Sequence, residues 1–389
     1  MINPVLDSYP AYIDQQSHRP TCAQNISADT SASARVGHKQ EATIVSKSLF
    51  FRSEMPHGNC GDDRRGFLKL AAGIIGGTAA AGVLKESQQS VSTSAPIFEG
   101  FKSSRVQATG ASINVVSGGQ GPPVLLLHGS PQTHVMWHKI APQLAREFAV
   151  VAADLRGYGD SSKPVDGENH SNYSKRSMAL DQIEVMKHFG FEKFAVIGHD
   201  RGGRVGHRMA LDHPNQITKL AVLDIVPTYK LLHSVNNEVA TAFYHWFLLI
   251  QPAPFPETLI ANNVEFYLKY MMFRDMSRRE IPAWMGEDAF AEYLRCFRDS
   301  DTVHANCEDY RAAASIDMKH DEEDLNRKIG CPVLALWGER GAVHRLFDVL
   351  AVWRECATKV NGKSLPGRHF LPEEVPDETL AELRTFLNS

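Results

Sequence analysis

One hexapeptide constrains this chain more than anything else in it: Gly198-His199-Asp200-Arg201-Gly202-Gly203. It follows a buried apolar run at residues 194–197. It opens a helical pattern over residues 201–212 that stops before Pro214. A tight strand-to-helix turn of this kind is a nucleophile elbow, G-x-Nu-x-G, which exposes its middle side chain. Here the middle residue is Asp200, where serine or cysteine would serve acyl transfer. A carboxylate does not usefully attack an amide. It can displace a leaving group at an sp3 carbon and become an alkyl ester on the enzyme. The elbow therefore points to halides or epoxides, and away from peptides and simple esters. The helix N-terminus, with Arg201 and Arg204 nearby, is expected to keep Asp200 ionised. A capping aspartate without chemistry would not explain the preceding strand and the flanking glycines.

Around the elbow, strands and helices alternate. Residues 112–117, 124–127, 148–153, 220–223 and 333–337 read as strands. Several are unbroken apolar runs, as expected where both faces of a sheet are covered. Residues 173–189 carry helical periodicity, with Met178, Ile183, Met186 and Phe189 spaced toward a core. Such alternation predicts an α/β fold with a mostly parallel central sheet. Between about 229 and 317 it gives way to an aromatic, apparently helical stretch, read as a cap inserted over the sheet edge. Residues 373–387 look like a terminal helix, so the catalytic domain is expected to span 96–389.

The N-terminal quarter reads differently. Residues 1–61 show no period and are rich in Ser, Gln, His and Asn. They are expected to be disordered, or an extension ahead of a true start at Met55 in place of Met1. Residues 62–95 resemble a twin-arginine export signal and linker, with Arg64-Arg65 before an apolar, glycine-containing run too short to span a bilayer. Cleavage is expected near Ala79-Ala80-Ala81 or Thr93-Ser94-Ala95. The implied partner is the export machinery and the implied location is the periplasm, or the cytoplasm where the signal is silent. No stable membrane anchor is expected. Lys+Arg 41 against Asp+Glu 45, a net charge of -4, leaves no basic excess for nucleic acid. Six cysteines without a CxxC pair give neither a disulfide framework nor zinc-ligand spacing. No metal or organic cofactor has a motif.

Two further loops complete the chemistry. His128-Gly129-Ser130-Pro131 follows a strand about 70 residues before the elbow. Such a loop supplies one oxyanion-hole N–H, that of Ser130. The N–H of Arg201 supplies the other. His369, in a loop near the C-terminus, matches the chain order nucleophile, acid, histidine, and is the expected base for water. Two acids follow strands, Asp224 and Glu339, and pattern alone does not choose between them.

At this point the sequence resembles the haloacetate dehalogenases of the α/β-hydrolase fold, specifically the fluoroacetate dehalogenase branch. The resemblance is carried by the loop from His128 to Trp137, Asp154-Leu155-Arg156-Gly157-Tyr158-Gly159, the elbow, Leu223-Asp224-Ile225-Val226-Pro227-Thr228-Tyr229, Tyr244-His245-Trp246, Cys307-Glu308-Asp309-Tyr310-Arg311 and His369-Phe370-Leu371-Pro372-Glu373-Glu374. It covers the chain from about residue 98 onward. It implies that Arg201 and Arg204 bind a substrate carboxylate, and that His245, Trp246 and Tyr310 hold the departing halide. It also tips the choice of acid to Asp224 and suggests a homodimer. The substrate is then a small anion, converted to glycolate or another 2-hydroxy acid plus halide. Ser130 departs from the family, which usually carries an aromatic residue there; larger 2-haloacids become expected substrates. Two rivals remain: an epoxide hydrolase with the same Asp–His–Asp set, and a non-catalytic binding protein of the same fold.

Overall fold

The computed structural model describes residues 97–274 and 280–389. The proposed N-terminal extension and the Arg64-Arg65 signal lie outside the described residues. Among the described residues no helix is long and apolar enough to cross a membrane.

Eight strands form one sheet: β1 (Lys102–Gln107), β2 (Ser112–Gly118), β3 (Pro123–Leu127), β4 (Ala149–Ala153), β5 (Phe194–His199), β6 (Ile217–Leu223), β7 (Val333–Gly338) and β8 (Val360–Leu365). Their spatial order is β1-β2-β4-β3-β5-β6-β7-β8. The pairs β1–β2 and β2–β4 are antiparallel; every other pair is parallel. This is the mostly parallel α/β sheet that the alternation predicted, in the α/β-hydrolase arrangement that the resemblance implied. The central strands are the apolar ones, and all six residues of β5 are buried. Helices Lys175–His188 and Arg201–Asp212 cover the sheet.

Strands β1 and β8 are the two that the apolar pattern did not reveal. Both lie at the sheet's edges, and their sequences, KSSRVQ and VNGKSL, are polar, the first largely exposed and the second mostly half-buried or exposed. An edge strand gains by such polarity, because an apolar edge invites pairing with another chain.

The topology sets the site. Strand β3 is followed by β4 on one side and β5 on the other, so the strand order reverses between β3 and β5. In open α/β sheets the crevice beyond the carboxyl ends at such a reversal is the ligand position. The register aligns Leu127 with Gly198, His199 with Leu223 and Gly338 with Leu365. The loops after β3, β5, β6 and β7 therefore leave one edge together. Among the described residues between β6 and β7 the elements are all helices, running from Thr228–His233 to Ile316–Glu323. Of these, Ser300–Ala313 is buried along most of its length.

Candidate active site

Asp200 sits at the head of the helix Arg201–Asp212 with φ 44 and ψ -111. A non-glycine residue at positive φ is strained by about 1–3 kcal/mol and persists only where its surroundings hold it. The neighbours at the elbow must be glycine for steric reasons. A Cβ on Gly202 would stand 2.4 Å from the Leu127 carbonyl oxygen, and one on Gly198 would stand 2.4 Å from that of Gly202. The side chain is buried. Burial raises its pKa, but His369, Arg201 and Arg204 outweigh that and hold it below the ordinary value.

The two carboxylate oxygens differ. The Ser130 N–H donates to Oδ2 at 3.1 Å. Among the described residues Oδ1 has no hydrogen-bond donor. The second hole donor expected, the Arg201 N–H, is at the first helical position, where no intrahelical acceptor exists.

His369 Nδ1 donates to Asp224 Oδ2 at 2.6 Å, and Asp224 Oδ1 accepts the Gly338 N–H at 3.0 Å. Asp224 is buried and itself at positive φ, 51. Glu339, the alternative acid, is exposed. Burial pulls the His369 pKa down, but the Asp224 hydrogen bond and the charges of Asp224 and Asp200 more than reverse this, so it is raised.

The two arginines that the resemblance assigns to a substrate carboxylate are not equivalent. Arg201 is wholly buried and already engaged. Its Nε and Nη2 donate to the Asp309 carboxylate at 2.8 and 2.6 Å, and Nη2 also donates to the Asp309 carbonyl. Only Nη1 is left, buried and without a partner. A two-nitrogen grip on a ligand is therefore not available to it. Arg204 lines the cavity, anchored by Nη1 to the Val226 carbonyl and the Thr228 hydroxyl. Burial lowers its pKa to about 10, still fully charged at neutral pH.

His245, Trp246 and Tyr310 come together. The Tyr310 ring meets the other two edge-on at 5.8 and 5.2 Å. Arg201 lies 4.2 Å over Tyr310, and Arg204 lies 4.7 Å over Trp246, in cation–π contact. Burial drops the His245 pKa to about 3, so the ring is neutral; its Nδ1 is buried and unpartnered. Arg204, His245, Trp246, Tyr310 and Asp200 line one cavity of about 570 Å³, with Arg201 packed behind that lining.

Asp309 is the site residue that motif reading passed over, although it stands beside Tyr310 in a quoted segment. It accepts from Arg201, from Tyr158 Oη and from Lys175; burial pushes its pKa up, but Arg201 and Lys175 outweigh that and hold its carboxyl well below the usual range. Among the described residues one trio, Asp166, His304 and Glu308, has metal-ligand proximity. Its atoms are already taken up by one another, His170, Glu257 and Arg311.

The profile of the alpha/beta hydrolase fold family matches residues 122–369. A fluoroacetate dehalogenase from Burkholderia sp is 46% identical over 299 residues, 75% of this chain and 95% of that protein. A soluble epoxide hydrolase from Corynebacterium sp. (strain C12) is 34% identical, over 69% of this chain and 90% of its own length. Among solved structures, ALR0039 from Nostoc sp PCC 7120 superposes with a TM-score of 0.72 at 57% identity, covering 75% of this chain and 99% of that one.

Proposed function

The chain belongs to the α/β-hydrolase family, and on that premise we propose that it hydrolyses the carbon–halogen bond of haloacetate or a similar short 2-haloacid. The observation that carries this reading is the Arg204 guanidinium, which lines the cavity beside the elbow carboxylate with Arg201 packed behind it. A neutral substrate gives the cavity-lining cation no anion to bind. A haloacid puts a carboxylate one carbon from its leaving group. The relative named as a fluoroacetate dehalogenase supports the same reading.

The substrate carboxylate rests on Arg204 and on the remaining Nη1 of Arg201. Asp200 Oδ1, free of donors, attacks the halogen-bearing carbon in line. The C–O bond forms as the carbon–halogen bond breaks, and the halide leaves with the bonding pair toward the donors of His245, Trp246 and Tyr310. Asp200 Oδ2 becomes the ester carbonyl oxygen, already seated against the Ser130 N–H. His369, neutral, takes a proton from water through Nε2, and the hydroxide adds to the Asp200 acyl carbon. Negative charge then develops on Oδ2, where the N–H groups of Ser130 and Arg201 stabilise it. Collapse breaks the acyl C–Oδ1 bond. The departing alkoxide takes the proton held by His369 and leaves as the 2-hydroxy acid, glycolate in the simplest case. The new Asp200 carboxyl loses its proton to solvent to restore the carboxylate. Asp224 stabilises the transient imidazolium.

A single turnover in heavy-oxygen water tests this. Unlabelled glycolate with label on Asp200 is expected; label in the product would mean direct attack by water. Asp200→Asn is expected to abolish turnover and keep the fold.

The epoxide hydrolase reading is favoured by one observation, the Tyr310 phenol lining the same cavity, where it could protonate an epoxide oxygen. Turnover of styrene oxide without halide release from chloroacetate would establish it. A non-catalytic binding protein would show no mass increase on Asp200. Periplasmic export through Arg64-Arg65 and a homodimer belong to the same proposal, checked by N-terminal sequencing of the exported protein and by light scattering.

A further inference from the structure

We propose that Asn306 is a positioning residue that ties the oxyanion loop to the anion-binding arginine. The inference rests on the reading of Ser130 and Arg201 given above.

Asn306 is wholly buried on the helix Ser300–Ala313. Its Nδ2 donates twice, to Ser130 Oγ at 2.9 Å and to Tyr158 Oη at 2.8 Å. Tyr158 donates to Asp309 Oδ2 at 2.7 Å, and the same oxygen accepts Arg201 Nε at 2.8 Å. At the other end, the Ser130 N–H reaches Asp200. A run of buried hydrogen bonds, carried across Ser130 by the covalent frame between its N–H and its Oγ, therefore joins the nucleophile's oxygen to the guanidinium that is to hold the substrate.

The direction of each bond is fixed. An amide offers two hydrogens, and here both go to hydroxyl oxygens. The phenol hydrogen must then go to Asp309, and the serine hydrogen must point away from Asn306 toward the cavity that Ser130 lines. Asn306 Oδ1, meanwhile, is buried without a partner. Buried polar atoms are nearly always paired. An amide that leaves its oxygen unpaired while placing both hydrogens is oriented by what those hydrogens hold. Asn306, Asp309 and Tyr310 follow i, i+3, i+4 spacing, so one helix face carries the relay, the arginine's counter-ion and a halide donor together.

The two ends govern different steps. Ser130 fixes the hole used in ester hydrolysis, and so kcat. Asp309 fixes Arg201, and so substrate affinity. Ser130 and Tyr158 share no hydrogen bond and communicate through Asn306.

The test is a double-mutant cycle of Ser130→Ala and Tyr158→Phe, with chloroacetate and styrene oxide assayed in parallel. We expect Ser130→Ala to lower kcat about fivefold with KM near that of the unaltered enzyme, and Tyr158→Phe to raise KM about fivefold, each a buried hydrogen bond's worth. The double variant should fall short of the product of the two effects by about threefold or more. In the Asn306→Ala background, or in Asn306→Asp where the alanine variant does not fold, the effects should simply multiply. A purely structural asparagine would lower the melting temperature and leave both KM and the coupling alone. Multiplicative effects with Asn306 present would overturn the proposal. Turnover of the epoxide alone would sink the dehalogenase reading instead, with the cycle still readable on that substrate.

Discussion

The charges around His369 oppose the role it must play. The Asp224 hydrogen bond and the charges of Asp224 and Asp200 raise its pKa despite burial, and so favour the imidazolium over the neutral ring that acts as base. Alkylation neutralises Asp200 and removes one of those charges. The base is thereby released as the ester it must hydrolyse forms. Ester hydrolysis should rise with pH, along a limb lying below the value at which the resting imidazole titrates by NMR. Identical values would show that Asp200 exerts no such control. A second expectation concerns the order of steps. Displacement at carbon needs no base, so His369→Ala should release one halide per enzyme and stall, with the substrate's mass retained on Asp200 in intact-protein spectra.

Two helices meet at the site, and each makes a distinct demand. The helix Arg201–Asp212 must start hard against β3. A methyl at Gly202 would strike the Leu127 carbonyl at 2.4 Å, so Gly202→Ala should push the nucleophile off line and cost on the order of a hundredfold in kcat. The helix Ser300–Ala313 supplies Asp309, whose loss leaves buried Arg201 without its paired carboxylate and Lys175 with Asp317 alone. Asp309→Asn should therefore destabilise the fold by about 3–5 kcal/mol in urea titration. The elbow and its helix were legible in the sequence because steric necessity writes glycine at fixed spacing. The buried strands were legible because both their faces must be apolar. Strands β1 and β8 were hidden by the polarity that edges require. The choice between Asp224 and Glu339 was hidden from the strand pattern, since both follow strands, and only the resemblance favoured Asp224. His369 is bonded to Asp224, whose backbone turns it inward at φ 51, which no local pattern records. The engagement of Arg201 by Asp309 likewise depends on how two helices distant in sequence pack, and i, i+3 spacing says nothing of it.

For the molecule as a whole, pH should act through Glu373. It is fully buried, bonded to Gln132 Nε2 at 2.5 Å and to Tyr293 Oη at 2.9 Å, and so clasps the oxyanion loop, the His369 loop and the cap. Burial raises its pKa to about 8 against the lowering effect of those bonds. The folded protein keeps a proton that the unfolded chain releases near 4.5. This contribution to stability is thus complete below 4.5, declines as pH rises, and is gone beyond about 8. Glu373→Gln should flatten that decline, measured as urea midpoints at pH 5 and pH 8; parallel curves would exclude the carboxyl as its source. The working groups themselves hang on the ends of four different strands, brought level only by the register of the finished sheet. Such an arrangement has no half-competent form. Turnover should disappear along the same denaturation curve as the sheet's circular dichroism, which makes the enzyme a gauge of its own folding.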